Sequence, residues 1–299
     1  MKQIVDVLKD SGPLTGKELL RAVPMDDLSL WAACRRSEQI CSRIVGRRYL
    51  RLDRRVEEYA RLSPSIMREF YNYTVLGTVE QMQKVEARAE ELQVELARIS
   101  REKLSLAQKS MEQLVEGLEC REQIKSSAAF MIAGDVVYGM AHAEPRPEIS
   151  TGELVKGSDL DIIVVVEGLP EKEVAVLDAA IQREKYRLLV SPAWREEIDS
   201  IIKDTARVRE QLKFQDFKAM VASKILHEAD FLWGSHDIFG RIKEMVKQSG
   251  IPEKIRAMEE KAVVDRKAAE ECLLQSPPSL SRDEAMKLFL TTEEKEEIF

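Results

Sequence analysis

The segment Lys156-Gly157-Ser158-Asp159-Leu160-Asp161-Ile162-Ile163-Val164-Val165-Val166 constrains this chain more than any other. Its consecutive aliphatic residues from Ile162 to Val166, bounded by turn formers, read as a strand buried on both faces. Side chains alternate along a strand, so Asp159 and Asp161 point one way while Leu160 and Ile162 point the other. Two carboxylates at that spacing suit a hard divalent cation such as Mg²⁺, which commonly takes one or two protein carboxylates plus substrate phosphates and water. Gly-Ser-Asp is also ordinary turn vocabulary, in which the aspartate is merely solvated. The rest of the chain has to decide between these readings.

A length of 299 residues with 44% hydrophobic residues accommodates two domains with real cores. No apolar run approaches the roughly 18 to 20 residues that span a bilayer, and the first residues lack the apolar core of a signal peptide. A soluble protein without membrane contact, located in the cytoplasm, is expected. Cys34, Cys41, Cys120 and Cys272 form no CxxC pair and suit neither a disulfide framework nor a zinc site, so they read as buried thiols. The net charge is −7, yet through Arg55 twelve Lys and Arg face seven Asp and Glu. Basic character is therefore concentrated at one end.

In that basic end, residues 2–10, Thr15 to Val23 and Asp26 to Arg36 have helical apolar spacing. Residues 40–45 and 47–52 read as a two-stranded hairpin around Gly46. Three short helices and then a hairpin resemble a winged helix-turn-helix domain, over residues 1–57. In such a domain the third helix and the wing meet nucleic acid. Arg35, Arg36, Arg43, Arg47, Arg48, Arg51, Arg54 and Arg55 would then contact DNA or RNA phosphates, which gives affinity without sequence preference. Asp26 and Asp27 oppose this at the start of the third helix, and the alternative is a wing used for protein contact or a solvated basic face.

Residues 64–76 read as an apolar-rich helix ended by Gly77. From Val79 to Leu118 there is no proline, and one long helix is the economical reading of a connector at 58–120. Its stripe Val85, Ala89, Leu92, Leu96 and Ile99 resumes one position late, at Leu104, Ala107, Met111, Leu114 and Leu118, as a stutter would. Such a helix either forms a coiled coil in a homodimer or folds against its own neighbours.

The segment 128–135 is an apolar element that stops at Gly134-Asp135, and residues 141–156 look like an exposed loop. After the central strand come a helix at 171–185, an ambiguous stretch at 186–190 and a short strand at 197–202 with an inward acid, Asp199. Trp194 and Trp233 read as core anchors, and His142, His227 and His236 as surface or packing residues. The order of these elements, with Gly-Ser-Asp-x-Asp entering an aliphatic strand, resembles the nucleotidyltransferase superfamily typified by DNA polymerase beta. Residues 224–234 are similar to the segment that comes after the core in its minimal members.

That resemblance implies an α+β fold with a nucleotidyltransferase domain at 121–240 and a helical tail at 241–299. It implies two Mg²⁺ ions held by Asp159, Asp161 and Asp199, and an NTP whose phosphates lie along Gly134, Asp135, Gly157 and Ser158. The expected reaction moves an NMP from the NTP to a hydroxyl of a nucleic acid, protein or small molecule. Two departures stand out. Gly134 is succeeded by Asp135 where the family has Ser or Gly, which puts an anion where phosphate should sit. The interval to Asp159 is also about a dozen residues longer than usual, an insertion a surface loop tolerates. The alternative is a nucleic-acid-binding regulator or scaffold whose transferase fold is inactive, and a third reading is an oligomeric structural protein built on the long helix.

Overall fold

In the computed structural model, residues 2–52, 60–148 and 151–275 are described. Arg54, Arg55 and residues 276–299 of the expected helical tail lie outside them. The fold is mixed α+β. It divides into two compact units, and the chain passes from the first to the second within one long helix, at Leu96/Ala97, and returns at Ala257/Met258.

The first unit opens with α1 (Lys2–Ser11), which buries Ile4, Val5 and Leu8. After β1 (Leu14–Thr15) comes α2 (Gly16–Ala22), started by a capping box. Glu18 N–H donates to Thr15 Oγ1 at 3.3 Å and Thr15 N–H donates to the Glu18 carboxylate at 2.6 Å. Asp26 caps α3 (Asp27–Arg36), accepting from Ser29 N–H at 3.0 Å. The next elements are β2 (Ile40–Ile44), β3 (Tyr49–Leu52), β4 (Ala60–Ser63), α4 (Ile66–Tyr73) and β5 (Thr74–Thr78). Gly16 is glycine because α2 starts against α4, where a Cβ would overlap the Phe70 carbonyl.

The hairpin expected from residues 40–52 does not form. β2 pairs instead with β5, Ser42 opposite Leu76, and β1 pairs with the other edge of β5, so the sheet order is β1-β5-β2 with all neighbours antiparallel. β3 pairs with β4. The cause lies in residues 74–78, of which 74–76 read as the end of a helix stopped by Gly77. β-branched Thr74, Val75 and Thr78 with Gly77 favour a pleated strand over helix continuation, and all five positions are buried.

A single 3-10 turn, Val79–Gln81, leads into α5 (Met82–Glu116). Val85, Ala89, Leu96, Ile99, Ala107 and Met111 are buried as expected, and Val115, outside the expected stripe, is buried where Leu114 and Leu118 are half-buried. The stutter is not seen. Leu104 is 37% exposed, whereas Lys103, at 4%, takes the inward position because its ammonium finds partners. Ile99, Ala107, Met111 and Val115 join the core of the second unit, so that stretch of stripe serves the chain's own packing rather than an intermolecular seam.

The second unit continues through α6 (Arg121–Ser127), β6 (Ala128–Ala133), α7 (Asp135–Tyr138), β7 (Pro145–Pro147), β8 (Leu154–Lys156), β9 (Leu160–Val166), α8 (Glu171–Val190), β10 (Ile198–Asp204), α9 (Thr205–Gln211), α10 (Phe217–Glu228), β11 (Asp230–Gly234) and α11 (His236–Gln248). α12 (Ile251–Gln275) then carries the chain back to the first unit. Its sheet has the order β10-β9-β6-β11. β9 and β10 are parallel, joined by the α8 crossover, and the other neighbours are antiparallel. β9 is central and buried along its length except at Asp161, as its aliphatic run requires. The ambiguous residues 186–190 prolong α8.

Residues 141–156 are not simply an exposed loop. β7 and β8 form a hairpin, and Ala141, His142 and Val155 are buried. Strand β11 has no counterpart among the expected elements, and it brings Trp233 edge-on to Phe130 at 5.5 Å between centroids. Trp194 is 41% exposed and is not a core anchor. All four cysteines are free. Only Cys34 is fully buried, its thiol pushed up to about 12 by that burial, and Cys272 is exposed. Among the described residues no helix is long and apolar enough to cross a membrane.

Candidate functional site

The parallel register of β9 and β10 sets Asp199 directly opposite Asp161, and the antiparallel register of β6 sets Ala133 on its other side. Gly134 comes next with φ +72°, and a Cβ there would overlap the Asp161 carboxylate. Both the backbone conformation and the close approach require glycine. The chain then turns into α7, which brings Asp135 round to accept a hydrogen bond from Ser158 Oγ at 2.8 Å.

Ser158 belongs to the turn before β9. Gly157, at φ +57°, seats that turn on the His142 backbone, where a Cβ would overlap the carbonyl. Ser158 N–H donates to His142 O at 3.2 Å and His142 N–H donates to Ser158 Oγ at 3.3 Å. The residues singled out in this half of the sequence, Gly134, Asp135, Gly157, Ser158, Asp159, Asp161 and Asp199, thus fall at one end of one sheet. Asp199 is exposed rather than inward, and reaches the group through register alone.

Asp159 and Asp161 are half-buried. The Asp161 carboxyl is held well above the usual carboxylate range, chiefly by loss of solvent and then by the like charges of Asp159, Asp199, Asp135 and Glu228. Asp159 is also raised by burial, against the pull of Arg146, with Asp135 and Asp199 pushing it further up. Among the described residues no three His, Cys, Asp or Glu side chains are disposed as a ready-made metal cage. The donor set is all carboxylate oxygen, on β9, β10 and the turn that enters β9, and its mutual repulsion is what a hard divalent cation relieves. The chemistry fits Mg²⁺ at Asp159 and Asp161 with Asp199 beside them.

Sequence reasoning missed the cations. Arg146 of β7 donates Nε–H to Gly157 O at 2.7 Å and pairs with Glu197 at 2.8 Å. Lys103 of α5 donates to Lys156 O at 2.8 Å and forms a buried ion pair with Glu196. The Tyr138 hydroxyl donates to Glu228, which is ion-paired with Lys224 and whose charge also acts on Asp161. Arg146 sits in a stretch read as loop and Lys103 in a stripe read as apolar, so no local pattern marks either one.

In the first unit the arginines are divided. Arg48 forms two hydrogen bonds with Glu69, at 2.6 and 2.7 Å, and a third with Glu270 at 3.1 Å. Glu69 is also held by Arg266 at 3.2 Å, and Arg266 donates to Glu270 at 2.7 Å and to Pro64 O at 2.9 Å. Arg35 lies 3.6 Å from Glu270 and Arg43 lies 3.4 Å from Glu86. Arg36 and Arg47 are exposed and Arg51 is half-buried. Along α3 no residue from Asp27 to Cys34 is exposed, since α4 and the end of α12, with Leu273 buried, complete its surroundings. Arg48 is therefore an internal ion-pair partner rather than part of an open basic face.

Compared with known proteins, the chain matches no protein-family model, no curated protein and no solved structure.

Proposed function

We propose that the second unit is a polymerase-beta-like nucleotidyltransferase domain that moves a nucleoside monophosphate from an NTP to a hydroxyl acceptor with Mg²⁺. The observation that carries this reading is the register that sets Asp199 opposite Asp161, with Asp159 at the strand mouth and Gly134 packed against the Asp161 carboxylate. Asp159 and Asp161 would hold the metal. Bound there, Mg²⁺ would neutralise charge on the transferring phosphoryl group and align attacking and leaving oxygens.

In this reading the acceptor oxygen bonds to the α-phosphorus, the α–β anhydride bond breaks and pyrophosphate leaves. Exposed Asp199 takes the hydroxyl proton, and the rigid sheet fixes the carboxylates in advance of substrate. Lys224 of α10, whose ammonium lies over the ring of Tyr138 on α7 at 5.6 Å from its centroid, would offset triphosphate charge.

The first unit is read as a winged helix: α1, β1, α2, α3, β2 and β5, with sheet order β1-β5-β2 and with β3, β4 and α4 falling between the two wing strands β2 and β5. Exposed Arg36, Arg43 and Arg47 would be its phosphate contacts with a nucleic-acid acceptor. A second reading, a nucleic-acid-binding regulator with an inactive transferase fold, is favoured by Asp135, whose charge adds to the acidic group.

One experiment separates them. Purified protein is incubated with each NTP radiolabelled at the α-phosphate, with Mg²⁺, with and without total RNA. Label on protein or RNA that disappears in Asp159→Ala supports the transferase. Absence of label together with absence of Mg²⁺-dependent NTP binding supports the regulator.

A further inference from the structure

The inserted segment between Gly134 and Asp159 does more than bulge from the fold. Two consecutive carbonyls of the turn that carries Asp159, Lys156 O and Gly157 O, each accept from a different cation, Lys103 Nζ at 2.8 Å and Arg146 Nε at 2.7 Å. Each cation also holds one of two consecutive carboxylates just before β10. Lys103 is ion-paired with Glu196, and Arg146 with Glu197 at 2.8 Å. Leu160 N–H donates to Glu197 O at 2.9 Å and Lys156 N–H to Arg195 O at 2.8 Å, so backbone and side chains tie the same two segments.

The consequence is geometric. Asp159 lies two residues past the first segment and Asp199 two residues past the second, so whatever fixes Gly157 against Glu197 fixes the spacing of these carboxylates. Neither cation belongs to the core sheet. Lys103 comes from α5, and Arg146 comes from the β7–β8 hairpin that the insertion supplies.

We propose that Arg146 and Lys103 form a two-cation clamp that positions Asp159 relative to Asp199, so that divalent-metal affinity of the carboxylate site depends on the insertion. The proposal rests on the metal-binding reading of these carboxylates. Arg146 is the more informative member, because its guanidinium reaches a carbonyl and a carboxylate in a planar fork that an ammonium cannot reproduce. It acts through Asp159 and Asp199 and is a positioning residue.

The test is calorimetric titration of the full chain with Mn²⁺ alone, no nucleotide, comparing wild type, Asp161→Asn, Arg146→Ala and Arg146→Lys, with far-UV circular dichroism to verify folding. Removing an outer-shell partner of a metal site typically costs about 10 to 100-fold in affinity. Arg146→Ala is expected to weaken Mn²⁺ binding by about tenfold or more, Arg146→Lys by less, and added methylguanidinium to restore part of the loss in Arg146→Ala only. Folded Arg146→Ala that binds Mn²⁺ as wild type does would overturn the clamp. Wild type that takes up no Mn²⁺, indistinguishable from Asp161→Asn, would instead overturn the metal-site reading on which it rests. Should Arg146→Ala fail to fold, Glu197→Gln removes the charge that Arg146 grips. It is expected to weaken Mn²⁺ binding in the same range, and an unchanged affinity there would equally sink the proposal.

Discussion

Asp161 and Asp199 occupy matched positions on adjacent parallel strands, so two carboxylates meet across a single strand spacing on the sheet that holds the core. The folded chain places like charges together where an unfolded chain would separate them. Because the Asp161 carboxyl is raised in the folded state, its contribution to stability is fully present below the unfolded value of about 3.9 and is lost as pH rises through the folded value. With EDTA present, the wild type should therefore lose stability from this residue as pH rises from 4 towards neutrality. Asp161→Asn should be more stable than wild type at pH 7, with the difference vanishing near pH 4. Urea denaturation at several pH values checks this, and an Asp161→Asn variant no more stable at pH 7 would show that the repulsion is screened.

The aliphatic run of β9 and the two acids before it are legible in the sequence because burial on both faces and period-2 alternation are local signals. Helices with a capping box or N-cap, such as α2 and α3, are legible for the same reason. What the sequence hides is pairing at a distance. Nothing near Ile40 announces that its partner strand begins at Thr74, and nothing near Lys103 announces Glu196. The stutter assigned at Leu104 comes from treating a lysine as necessarily outward, a rule that fails once a buried partner exists.

Gly134→Ala tests the close approach of backbone to carboxylate in the site. Alanine would have to adopt φ near +72° and would meet the Asp161 carboxylate. A cost of about 1 to 3 kcal/mol is expected from backbone strain alone. Urea denaturation should show that loss, and Gly139→Ala offers the contrast. Gly139 also has positive φ, at +69°, but a Cβ there meets nothing, so only the strain should appear.

The ion-pair group of the first unit separates a structural role from a binding role. Glu69 and Arg266 are both buried, and removing one partner strands the other. Glu69→Ala should cost about 3 to 5 kcal/mol in urea denaturation. Arg36→Ala with Arg47→Ala, both at exposed positions, should leave stability within about 0.5 kcal/mol. If the winged-helix reading holds, the double variant should weaken duplex binding and reduce the slope of log affinity against log salt by about 2. An unchanged salt slope in a folded double variant would remove these arginines from any nucleic-acid contact.

Lys103 and Glu196 form the most enclosed ion pair beside the site, and burial acts on both in the neutralising direction, lowering the lysine and raising the glutamate. Lys103→Met leaves Glu196 buried without its ammonium and should cost about 3 to 5 kcal/mol. Replacing both, Lys103→Met with Glu196→Leu, removes two desolvated charges at once and should recover most of that loss. It should not recover all of it, because Lys156 O also accepts from Lys103 and would be left without that donor, a cost of about 1 to 3 kcal/mol. A double-mutant cycle by urea denaturation gives the balance. Full recovery would mean that the carbonyl bond contributes nothing, whereas a residual deficit in the double variant would show that Lys103 anchors the turn before Asp159 as well as neutralising Glu196.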